Sequence, residues 1–69
     1  MISEIEKGTA RAEFVDALAT RLQADQLGRA TVDHMAASAR TRARARALLS
    51  SSEYDAAVLE AHRWAGHLT

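Results

Sequence analysis

The chain predicts an all-α fold: a small three-helix bundle, or a helical hairpin with a third helix packed on it. Three observations carry that expectation. There is no proline, and the three glycines divide the sequence into segments of helical length. Alanine, leucine, arginine and glutamate dominate, all residues of high intrinsic helix propensity. Apolar side chains recur at helical spacing in successive stretches, and no stretch alternates as a half-buried strand would.

At the amino end, Ser3 and Glu6 have the S-x-x-E spacing of a capping box, which predicts a short helical turn presenting Ile2 and Ile5. Gly8 weakens that turn, and Thr9 offers a fresh N-cap. The first main helix is therefore expected over about residues 10–27, with Phe14, Val15, Leu18 and Leu22 on one face. Glu13, Asp16, Thr20 and Gln23 fall on the other face, and Gly28 follows as a left-handed C-cap residue.

Thr31 can cap a second helix over about residues 32–49. Val32, Ala36, Ala39, Ala43 and Ala47 form a narrow stripe of small side chains along it. Arg40 and Arg44 line one edge of the stripe, and Arg42 and Arg46 line the other, with Met35 beside them. Arginines on alternate positions of a helix thus make two rails with an alanine groove between them. Ser50 to Ser52 read as a loop, and Ser52 with Asp55 predicts the cap of a third helix over about residues 53–65. Tyr54, Ala57, Val58, Ala61, Trp64, Ala65 and Leu68 supply its apolar repeat, and Gly66 is expected to end or fray it.

Sixty-nine residues make a single domain, 1–69. Sixteen of its apolar residues are alanine, which bury little area each, leaving seventeen larger ones. A core of this size supplies about 3–5 kcal/mol, and small natural domains add disulfides, metal or self-association. The absence of cysteine removes disulfides and thiolate zinc sites, so packing against another chain is the expected supplement. The stretch MISEIEKG carries acids where a signal peptide would be basic, and no window is apolar enough for a membrane span. A cytoplasmic location and a bacterial or phage origin are the expectations.

For function, the arginine run between Arg40 and Arg46 is the main signal. Guanidinium groups bind phosphate oxygens bidentately, but the formal charge is zero and no aromatic residues interleave with the run to stack bases. The segment ADQLGRATVDHM matches a helix-turn-helix only in part, because His34 stands where a branched apolar residue belongs and the arginines come too late for base readout. A helical hairpin explains the same residues. His34, His62 and His67 are scattered and lack the spacing of metal ligands on one helix. No nucleophile elbow or glycine-rich phosphate loop is present, so no catalytic residue, metal or cofactor is expected. The sequence supports first a non-catalytic helical module that self-associates or docks on a larger protein, as accessory subunit, inhibitor or regulator. Its contact residues would be Arg40, Arg42, Arg44, Arg46, Tyr54 and Trp64, with Ala36 and Ala43 allowing close helix approach. The alternative is a small nucleic-acid-binding regulator using Arg40, Arg42, Arg44 and Arg46.

Overall fold

A computed structural model describes residues 3–66, so Ile2, His67 and Leu68 lie outside the described residues. It contains three helices, α1 (Glu4–Gln26), α2 (Val32–Leu48) and α3 (Ser51–Gly66), and no strand among the described residues. The all-α expectation holds.

α1 corrects the expected break at Gly8. It runs unbroken from a cap at Ser3, whose Oγ accepts from the Glu6 N–H at 3.1 Å, so Thr9 does not start a new helix. A glycine costs only about 1 kcal/mol in a helix interior. Packing beyond it outweighs that penalty, because Ala10 and Phe14 are both buried. A Cβ added at Gly8 would meet nothing within 4 Å. Gly8→Ala should therefore stabilise the fold by about 0.5–1 kcal/mol, read as a higher urea midpoint with an unchanged slope. A lower midpoint would mean that α1 bends there in solution.

The other end follows expectation. Gly28 has φ 67°, the left-handed value that glycine adopts without strain, and the Arg29 N–H donates to the Ala24 carbonyl at 2.7 Å. Thr31 caps α2 as anticipated, accepting from the His34 N–H at 3.2 Å. His34 Nδ1 accepts in turn from the Thr31 N–H at 3.1 Å, completing a reciprocal box with histidine in the role that glutamate usually fills. Arg44, late in α2, reaches Glu13 in the middle of α1 at 3.9 Å. α2 therefore runs back along α1, which makes the pair an antiparallel hairpin rather than a helix-turn-helix crossing.

α3 begins two residues earlier than expected, because its cap is Ser50 and not Ser52. The Glu53 N–H donates to Ser50 Oγ at 3.2 Å, while the Ser50 N–H donates to Glu53 Oε1 at 2.8 Å. The Ser50 N–H, then the Ser50 hydroxyl and Lys7 Nζ at 3.3 Å, hold the Glu53 carboxyl below its ordinary pKa. Contacts then climb both helices together: Lys7 with Glu53, Arg11 with Glu60, and Gln23 Nε2 donating to the Trp64 carbonyl at 3.4 Å. α3 is thus parallel to α1.

α2 and α3 each pack along α1 and scarcely touch one another. The central position of α1 explains why it buries residues on both flanks. Among the described residues, seven of the nine buried apolar ones are alanine (10, 19, 24, 45, 57, 61 and 65), with Phe14 and Val15 completing the set. Alanine at a contact lets backbones approach closely, so the thin core is also a tight one. The molecule measures 41 × 23 × 17 Å, flat and elongated along α1.

Candidate docking surface

α2 packs through a stripe that sequence patterning overlooked. Ser38 and Ala45 are fully buried against the rest of the chain, with Ala37, Thr41 and Leu48 half-buried beside them. Two of these are hydroxyl residues, which a search for apolar periodicity passes over. Thr41 hides its polarity by donating Oγ1 to the Ala37 carbonyl at 2.8 Å. Ser38 Oγ has no hydrogen-bond partner among the described residues although it is fully buried.

Because that stripe faces inward, the opposite one faces solvent. Val32, Met35, Ala36, Ala39, Ala43 and Ala47 are all exposed, Val32 at 81 % and Met35 at 50 %. No described residue covers this strip. The alanine stripe therefore does not pack on α1 or α3 of its own chain.

All four arginines of the run are exposed, on either side of the bare strip. Arg44 pairs loosely with Glu13, and the Arg46 guanidinium lies over the Tyr54 ring at 5.0 Å. Arg40 and Arg42 make no ion pair among the described residues. α2 carries these four arginines against a single acid, Asp33. The neutral total therefore conceals a strongly basic helix.

Tyr54 and Trp64, both expected at a contact, occupy different environments. Tyr54 is half-buried and stacks on Phe14, with ring centroids 5.1 Å apart and planes inclined by 22°. It anchors the core and holds Arg46 in place. Trp64, by contrast, is 58 % exposed. Its indole walls a shallow recess of about 240 Å³ whose floor is Val15 and Ala19. The arginine run and Trp64 belong to different helices that scarcely touch, so they do not form one continuous site.

His34 is engaged in the α2 cap and His62 is exposed on α3. Among the described residues no group of three His, Asp or Glu side chains could hold a metal ion. No helix among them is long and apolar enough to cross a membrane. No known protein family, curated protein or solved structure matches the chain.

Proposed function

We propose that this chain is a non-catalytic protein-interaction module, an accessory subunit or inhibitor of a larger protein or complex, that docks through the outward face of α2. One observation carries this reading: an uncovered strip of valine, methionine and alanine runs the length of α2 between two rows of exposed arginines. Small side chains permit close approach by a second backbone. The flanking guanidinium groups can then reach carboxylates on that partner with charge-assisted bonds. Arginine stems cover apolar surface while their heads stay in water, so the rows also shield the rim of such a contact.

A nucleic-acid reading draws on the same helix, because Arg40 and Arg42 have no acidic partner among the described residues and all four arginines are accessible. The apolar strip between them favours protein. Substituting the strip separates the two. In Ala36→Gln/Ala43→Gln the arginines remain, the positions are exposed, and glutamine suits a helix. Binding to a protein partner captured from the source cells should weaken by about tenfold or more, because the added bulk separates the surfaces. Unchanged capture by this variant would overturn the reading. Duplex binding that falls steeply with added salt, and survives these substitutions, would install the nucleic-acid reading instead.

A further inference from the structure

We infer that a second copy of this chain pairs with the first on the side of the α1–α2 hairpin away from α3, forming a two-fold four-helix arrangement held by reciprocal acid–arginine contacts. The inference goes beyond the docking reading, because it uses the flank of α2 and the open face of α1 rather than the outermost strip of α2.

Two stripes on the hairpin motivate it. On α1, Glu6, Thr9, Glu13, Asp16 and Thr20 recur at alternating steps of three and four, and all are exposed. On α2, Asp33, Ala37, Arg40, Arg44 and Ala47 recur in the same alternation, all exposed except the half-buried Ala37. This 3-4 spacing is the seam pattern of helices that pack nearly parallel or antiparallel. One seam is acidic and the other largely basic. The three basic residues of α1, Lys7, Arg11 and Arg21, are half-buried and lie off its seam.

Two contacts fix where the seams lie. Arg44 meets Glu13 at 3.9 Å, so the two seams run side by side along the same side of the hairpin. Arg46, on the other flank of α2, lies over Tyr54 of α3. The side carrying both seams is therefore the one α3 leaves open.

Heights along the hairpin also match. With α1 and α2 antiparallel and rising about 1.5 Å per residue, the level shared by Glu13 and Arg44 sets all the others. Thr20 then stands level with Ala37, while Asp16 and Arg40, and Thr9 and Ala47, match to within the rise of one residue, about 1.5 Å. The two charged layers are adjacent, with a small layer above and below them. A twofold axis along the helices preserves these heights and sets each acidic seam against the basic seam of the other copy. Glu13 then faces Arg44 of the second copy as well as its own, and Asp16 gains Arg40. Threonine and alanine in the two flanking layers leave room for the helices to close.

Other pairings of two copies are less favourable. Packing α2 on α2 confronts arginine rows with arginine rows, and like charges across an interface are repelled. A head-to-tail contact between the seams would not close, whereas the twofold arrangement satisfies both at once.

Reciprocal charge exchange tests this pairing in the full chain by sedimentation equilibrium at low ionic strength, with circular dichroism reporting helix content. Wild type should show twice the 7.5 kDa chain mass, falling toward one chain as salt screens the contacts. Arg40→Glu/Arg44→Glu should be monomeric alone, and so should Glu13→Arg/Asp16→Arg. Mixed in equal amounts they should regain the dimer, because only the mixture sets unlike charges together in both contacts. If either exchange variant loses helix content, Arg40→Gln/Arg44→Gln takes its place, with dimer dissociation at least about tenfold easier than wild type. Wild type that stays monomeric at millimolar concentration, a dimer unaffected by either exchange, or a mixture that stays monomeric would each overturn the inference. A monomer that still captures a protein partner, and loses it in Ala36→Gln/Ala43→Gln, would leave the docking reading intact.

Discussion

Phe14→Ala should leave the chain largely unfolded at room temperature. Phe14 is the sole phenylalanine, is 1 % exposed, and is the largest fully buried side chain. Truncating such a residue costs about 3–5 kcal/mol, through lost transfer energy and the cavity left behind. The stack on Tyr54 is lost as well, and a pair of this kind is worth about 0.5–1.5 kcal/mol beyond its area. A domain of this length has a total stability of roughly 3–10 kcal/mol at typical values per residue. The substitution therefore removes most or all of it. Far-ultraviolet circular dichroism at low protein concentration should show mostly coil. A cooperative melt within a few degrees of wild type would mean that α1 is not held mainly through this ring.

Ala61→Leu should be nearly as damaging for the opposite reason. Ala61 is fully buried in the same cluster as Phe14, Val15 and Ala57, where α3 lies against α1. Overpacking a tight core costs about 1–3 kcal/mol, and more where backbone must move. Here the added branch has no exit except by pushing α3 off α1. Ala56→Leu supplies the control, since Ala56 is exposed on the same helix and should change stability by no more than about 0.5 kcal/mol. Urea unfolding of the pair measures the contrast. Equal midpoints for the two variants would show that α3 rides loosely on α1 and that its alanines do not set the spacing.

These two effects bear on what could be read in advance. Phe14, Val15, Leu18 and Leu22 were assigned to one face of α1 from spacing alone, and they are buried or half-buried there. Gly28 and Thr31 were legible because their roles depend on backbone conformation and a local hydroxyl, both written in a few adjacent residues. The Ser50–Glu53 box has the same S-x-x-E spacing as Ser3–Glu6 and could have been recognised by the same rule. Gly8 misled because a local penalty was weighed without the tertiary packing that overrides it. α2 was legible as a helix, but its inward face was not. That face is Ser38, Thr41 and Ala45, while the more apolar stripe of Val32 and Met35 points outward. Hydrophobic pattern predicts which side of a helix is buried only when the sides differ enough in polarity, and on α2 they do not.

The sequence by itself determined three helices, the caps at Gly28 and Thr31, and that the arginines would flank a row of alanines. Each of these follows from spacing along a single helix, which chain order alone specifies. Only the tertiary structure decided which face of α2 was spent on α1, and that α3 would lie on one side of the hairpin and leave the other open. The physical reason is that α2 can bury either of two small-residue stripes at similar cost. The choice between them depends on what α1 presents across the contact, and no pattern within α2 contains that information.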